Sequence, residues 1–495
     1  MQNSIAAIPN FVDALRRTMP QMTPRQVHAA ILVASLAVPA TLSGQTSSTE
    51  QATGTQVFTI ERALQYAVDH YPTVRAAFEQ VSASTAGVSV AKAAYFPRLD
   101  ALWQSNRGTV NNIFGQVLPQ SVIPAMSGPV LDSASGGSVW GSATGALFSW
   151  EPFDFGLRDA GVANAQAAVA RARAGEALTR LDVETAVGTT FLSIVAFQRA
   201  VEALQADVSR RDQLSRAVHA LVDNQLRPGA EASRSDAERA AAQTRLIQAQ
   251  QNVTLGRIAL ARVLGVTAGP VTIDASTLMD RLPDTPSTTT VPAMHPFAQV
   301  RQASVDIARA QEQVLSRTDL PRVYFQSSLF GRGSGANPNG QLDGSLSGLG
   351  LDRANWAAGV QIVFPNIFDF ESLHARKAAA AASARAEAAL FDEAMLTVTS
   401  QQQAAAAMVQ AARAIAANTP VQLAAAQQSE SQARARYQAG LASIVEVADA
   451  QSLLVEAEVQ DQLARIDVWR ALLAQAAAQG TLAPFVSLVT SPGGR

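Results

Sequence analysis

The sequence predicts a mixed α/β membrane protein with an internal tandem repeat, in which short paired β-strands lead into very long α-helices. Three observations predict this class. Motifs recur in the same order in the two halves of the chain. No proline occurs between Gly156 and Leu226, a stretch of continuous helical composition. Two segments, "SVWGSATGALFSW" and "NWAAGVQIVF", alternate in character with period two and carry aromatic residues near both ends.

The doubling rests on four matches. "HYPTVRAA" around Pro72 returns as "MHPFAQVRQA" around Pro296, and "AYFPRLDALWQSNRG" around Pro97 as "TDLPRVYFQSSLFGRG" around Pro321, both 224 positions on. Phe153-Asp154-Phe155 matches Phe368-Asp369-Phe370 at an offset of 215, and Ser233 to Asp236 matches Ser443 to Glu446 at 210. These matches divide the chain into repeats at 57–264 and 294–480, joined by a Pro- and Thr-rich linker at 265–293. Residues 1–45 are expected to be a signal peptide and flexible N-terminus, and 481–495 a disordered tail.

Arg16, Arg17 and Arg25 precede the apolar run "AAILVASLAVPATL", followed by small polar residues. At 14 residues the run is short of the roughly 20 that a membrane-spanning helix needs, so it reads as a Sec-type export signal, with cleavage expected near Ala40. No later segment stands out as a transmembrane helix. The chain has no cysteine, which excludes disulfides, thiolate chemistry and a lipid anchor on cysteine. A net charge of −2 gives no field that would draw nucleic acid.

Each repeat opens with a helix: Thr59 to about Ala94, with Thr59 as N-cap and Glu61 in the first turn, then Pro296 to about Ser316. Two strands follow, separated by Gly/Ser/Asn/Pro-rich loops near 109–138 and 332–353. Trp140, Trp150, Trp356 and Phe364 fall on one parity of their segments, and Trp103 lies in the partner strand. One apolar face with aromatics at the ends is how a barrel strand meets lipid and its interfaces. Four such strands cannot close a barrel alone, so this reading demands oligomerisation.

Next come helices of exceptional length. Gly156 to Leu226 spans about 100 Å at 1.5 Å per residue. Its counterpart, Phe370 to Tyr437, is expected to kink or restart at Pro420. Both end in a tight reversal. In "RYQAGLASIVEVADAQ" Gly440 is placed to cap one helix, and Ser443 with Glu446 forms a capping-box pattern for the next. Pro228, Gly229, Ser233 and Asp236 are expected to do the same in the first repeat. The bland reading of these acids is capping and solvation alone.

The segments "YQAGLASIVEVADAQSLLVEAE", "SWEPFDFGLRDAGVANAQ" and "FTIERALQYAVDHYPTVRAA" resemble the signatures of the TolC-like outer-membrane efflux protein family, from about Val57 to Gln479. The resemblance implies a homotrimer with a 12-stranded antiparallel β-barrel, four strands per chain, continuous with an α-helical barrel. It also implies a periplasmic adaptor (a membrane fusion protein), an inner-membrane RND, ABC or MFS transporter, outer-membrane lipid around the strands, and no cofactor. A periplasmic gate is implied at Tyr437, Glu446 and Asp449, and adaptor contact at the hairpin tips. The family's basic gate partner falls on Ala442; Arg434, Arg436 and Arg227 are the available substitutes.

No HExxH, Walker A or dinucleotide-binding pattern occurs, and the five histidines are scattered, each read as a surface residue rather than a ligand. The glycine-rich "GRGSGANPNG" reads as an external loop. Enzyme chemistry therefore has no visible basis. The resemblance implies an outer-membrane exit duct that passes small molecules across the periplasm and outer membrane; type I protein secretion and a periplasmic coiled-coil scaffold are the alternatives.

Overall fold

The computed structural model describes residues 56–109, 121–123, 136–266, 271–279, 283, 291–336, 341–343, 345–365 and 369–490. The expected signal peptide and its cleavage site, most of the first loop, Phe368 and residues 491–495 lie outside these. The first repeat contains strand β1 (Gln56–Phe58), helices α1 (Ile60–His70) and α2 (Pro72–Ala93), and strands β2 (Arg98–Thr109) and β3 (Ser138–Phe153). Helices α3 (Leu157–Asp223) and α4 (Gly229–Leu264) complete it. The linker contributes β4 (Val271–Ile273) and a single turn, α5 (Ser276–Met279). The second repeat contains α6 (Pro296–Arg317), β5 (Arg322–Ser334), β6 (Arg353–Val363), α7 (Phe370–Gln438) and α8 (Ile444–Ala478), followed by α9 (Ala483–Thr490).

The opening helix expected as one piece is two. Tyr71 leaves helical geometry at ψ 128° because the residue before a proline is pushed to extended backbone, and Pro72 then starts α2. Thr59 caps α1 as expected, its Oγ1 accepting the Arg62 N–H at 3.3 Å. The 67-residue α3 and the 69-residue α7 each run about 100 Å. At Pro420, α7 continues instead of restarting, cross-linked to α8 on both sides of the proline.

The strands form an antiparallel sheet in the order β2-β3-β5-β6. Helices α2, α3, α6 and α7 pack in the same order, so strand pairing and helix pairing share one plan. In the register, Trp103 faces Thr144, Leu329 faces both Ala146 and Trp356, and Phe325 faces both Trp150 and Val360. One face therefore carries Leu99, Trp103, Trp150, Phe325, Leu329, Trp356, Val360 and Ile362, all exposed. The opposite face carries Asp100, Gln104, Asn106, Gln326, Gln361 and Arg353. Trp140 stands on the apolar face with the Arg107 guanidinium 5.9 Å from its ring, and Phe364 lies exposed just past β6. Trp140 and Trp150 are ten residues apart, about 33 Å along a strand. Tilted as barrel strands are, this matches an apolar band about 25 Å tall.

The large side chains gather where the two repeats meet. Phe58, Ile60, Phe191, Ile194, Leu260, Leu264, Ile466, Leu473 and Phe485 are almost wholly buried in one cluster. Gly188 permits the close approach of α3 and α8, since a Cβ there would meet Leu473 Cδ2 at 2.9 Å. The linker is pinned to this core. Strand β4 pairs in parallel with β1, and Trp469 donates from its indole to the Leu278 carbonyl at 2.9 Å.

Three expectations are corrected here. Residues 483–490 are helical, and Phe485 is 1% exposed against Trp469, so the tail contributes to the core. His295 is buried, not a surface residue, and caps α6 by accepting the Phe297 N–H. By length and composition a stretch of α3 could cross a membrane; that helix is apolar where Val187, Phe191 and Ile194 enter the core.

Candidate functional site at the hairpin tips

Helices α3–α4 and α7–α8 form two hairpins whose reversals share one backbone design. Leu441 N–H bonds the Arg436 carbonyl at 2.8 Å and Gly440 N–H the Tyr437 carbonyl at 3.0 Å. Gly440 has φ +75°, the left-handed conformation that a Schellman ending requires. In the first hairpin Leu226 bonds the Leu221 carbonyl and Gln225 that of Val222, both at 2.9 Å, with Gln225 at φ +61°. The left-handed residue there is glutamine, and Gly229 is the first residue of α4.

This geometry resets the alignment of the tips. Gln225 with Gly440, and the N-cap residues Pro228 with Ser443, are both 215 positions apart, the offset of the Phe-Asp-Phe motifs. The match of Ser233 and Asp236 to Ser443 and Glu446 is therefore shifted by five residues. Ser233 and Asp236 lie inside α4, and the first-turn acid equivalent to Glu446 is Glu231. Ser443 occupies its N-cap position, but its side chain makes no capping bond, so the capping box does not form. Asp236 instead accepts from Ser215 at 2.9 Å and from His219 at 3.0 Å, linking α4 to α3. Those bonds, His219 first, hold its carboxyl below the usual carboxylate range.

Tyr437 is buried among Val218, Ala232, Ala442, Ile444 and Val447. Its hydroxyl donates to Glu231 Oε2 at 2.8 Å, reaching from α7 to α4. The Arg227 guanidinium lies 4.8 Å from the tyrosine ring centroid, donates to the Tyr437 carbonyl at 3.2 Å, and stands 3.8 Å from Glu231. Burial, and then the carboxylate it bonds, push the Tyr437 phenol up to about 12. The described hydrogen bonds and ion pairs of Arg227 and Tyr437 involve neither of the other two expected gate residues. Glu446 is half exposed and 3.8 Å from Arg436, Arg434 pairs with Glu430, and Asp449 is exposed. The three residues grouped by the sequence thus divide into a buried tyrosine and two outward acids. Glu231 was missed; carrying the 215 offset through to the tips would have found it opposite Glu446.

Both tips also present an exposed leucine, Leu226 and Leu441, just beyond the left-handed residue. No group of His, Cys, Asp or Glu suited to a metal ion occurs among the described residues. What the tips offer is polar and aromatic contact between two helical hairpins.

With both the doubled architecture and the tip geometry in view, comparison with known proteins is decisive. The family model described as "outer membrane efflux protein" matches residues 63–266 and 295–481, one segment per repeat. The chain belongs to the outer membrane efflux protein family. Searching the curated proteins finds no match. Among solved structures, this efflux protein is similar to the outer membrane protein VceC of Vibrio cholerae, with TM-score 0.68 and 18% identity, covering 85% of this chain and 96% of that one. It is similar to the Campylobacter jejuni CmeC outer membrane channel, with TM-score 0.70, 14% identity and 85% of each chain covered. The open state of the Neisseria gonorrhoeae MtrE outer membrane channel gives TM-score 0.64, 16% identity and coverage of 85% and 89%. At these identities the likeness is one of fold.

Proposed function

We propose that this efflux protein is the outer-membrane exit duct of a tripartite export system. Three copies close a 12-stranded barrel, and their hairpins form a helical tunnel through the periplasm. The observation that carries this reading is the sheet. It is open at β2 and β6 and turns an apolar, aromatic-rich face outward. In lipid, unpaired strand edges are not tolerated, so β2 of one copy must pair with β6 of the next. Because β2 and β6 run in opposite directions, such pairing is antiparallel and closes into a ring.

The duct carries small molecules delivered by an inner-membrane transporter of the RND, ABC or MFS kind through a periplasmic adaptor. The tips around Pro228, Gly229, Gly440 and Ser443 meet the adaptor. Tyr437, Glu446 and Asp449 form the constriction, with Tyr437 holding the second hairpin to the first and the two acids facing the lumen as rings. Acidic rings favour cations and repel one another, so a modest pull from outside opens them. Single-channel conductance of Glu446→Ala with Asp449→Ala tests the assignment. A changed conductance and a weaker cation preference are expected, and unchanged values would remove both acids from the constriction.

A further inference from the structure

Between about 20 and 27 Å behind the tips, three features lie within about two helical turns of one another. Arg210, thirteen residues before the end of α3, makes a two-pronged pair with Glu458 of α8, at 3.0 and 2.6 Å and about four-fifths buried. Glu458 lies fourteen residues into α8. On α7, Pro420 stands eighteen residues before the end of the helix and leaves the Ala416 carbonyl without its helical donor. The bonds that flank the proline, Thr419 Oγ1 to Asp461 at 2.9 Å and Gln422 to Gln460 at 2.8 Å, land within three residues of Glu458. A clamp to the first hairpin and a weak turn in the second thus occur together.

Around this height the hairpins differ in how they are braced. In the first, the fully buried Asp207 accepts from Arg211 at 3.0 Å and from Arg245 at 3.2 Å, and Arg211 reaches Glu238 at 2.9 Å. Removing one member of such a network leaves a buried charge unpaired, so α3 and α4 hold together firmly. Moved forward by the 215 offset, Asp207 and Arg245 become Gln422 and Gln460, and Asp236 becomes Gln451. At these three positions the second hairpin has uncharged amides where the first has ions, its own ion pairs including Arg434–Glu430 within α7 and Arg436–Glu446 near the tip. Above the clamp, by contrast, α8 interlocks with α3 through Leu473 and Gly188.

We infer that Pro420 and the Arg210–Glu458 pair position the gate as a pivot: the second hairpin bends at the proline and turns on the ion pair, which stays closed while the tip contacts part. The first hairpin is the fixed post. This rests on the gate reading above, and the test separates the two.

The chain lacks cysteine, so two double variants of the full-length protein report cleanly: Arg210→Cys with Glu458→Cys, and Arg227→Cys with Tyr437→Cys. Each is bridged with a short bismaleimide and studied in planar lipid bilayers under applied voltage. Bridging the tip should abolish openings, whereas bridging the pivot should leave their frequency within about twofold. Loss of openings with the pivot bridge would overturn the inference while leaving the gate intact. Openings that persist with the tip bridge would overturn the gate reading and the pivot with it. Pro420→Ala, which adds a helix former, should lower opening frequency several-fold; an unchanged frequency would remove the proline from the mechanism.

Discussion

Tyr437 of the second hairpin donates its phenol hydrogen to Glu231 of the first at 2.8 Å, beneath the Arg227 guanidinium. With the Arg227 bond to the Tyr437 carbonyl at 3.2 Å, it joins the two hairpins close to their tips. Tyr437→Phe keeps the ring and its cation–π contact and removes only this bond. We expect a loss of about 1–2 kcal/mol, because the Glu231 carboxylate is left half-buried with Arg227 at 3.8 Å as its remaining partner. Urea unfolding measures the loss, and a parallel rise in closed-state conductance would tie it to gating.

The same bond has an alkaline signature. The phenol ordinarily titrates near 10 and is raised here to about 12, so its contribution is complete below pH 10 and is lost as pH rises toward 12. Stability measured from pH 9 to 12 should fall more steeply in the native protein than in Tyr437→Phe.

His295 gives a signature on the acid side. Its Nδ1 accepts the Phe297 N–H and its Nε2 faces the Ala477 carbonyl at 3.1 Å, a neutral-ring arrangement. Burial lowers its pKa below the usual 6.5. The unfolded chain therefore binds the proton first. Stability should be full above pH 6.5 and decline as pH falls through the lowered value. Thermal melts of His295→Gln should show a shallower decline over that window.

The two tips make opposite predictions for one substitution type. Gly440→Ala puts a side chain at φ +75° and should cost about 1 kcal/mol, whereas Gln225→Gly relieves the same conformation at φ +61° and should stabilise by a similar or smaller amount. Denaturant midpoints of the two variants, shifted in opposite directions, would establish the shared Schellman design.

The repeat, the long helices and the sheet faces were legible because they are periodic. Proline-free length announces α3, and period two with end aromatics announces β3 and β6. What escaped the sequence depends on tertiary placement. Glu231 was hidden by a five-residue misalignment, since "ASRSDAERA" resembles "ASIVEVADA" more than the true equivalent does. Gln225 in a left-handed turn has no compositional mark. Phe485 looked like tail because a two-turn helix carries little periodicity, and its burial comes from Trp469 across the chain. Pro420 inside α7 broke the usual rule because α8 supports the helix on both sides.

The outward face offers a test of membrane placement. Leu329 pairs with Ala146 and Trp356 near the middle of the band, and Ala357 points to the opposite face. Leu329→Arg should cost about 2–4 kcal/mol in lipid, while Ala357→Arg should be tolerated. Folding into phospholipid vesicles measures both, and equal costs would refute the assignment of faces.

The most direct measurement is electron microscopy of the full-length protein extracted from membranes in detergent. A three-fold particle is expected, with a short β-barrel continuous with a helical tube about 100 Å long, and β2 of each copy paired to β6 of the next. A monomer or a soluble particle without a tube would contradict the duct.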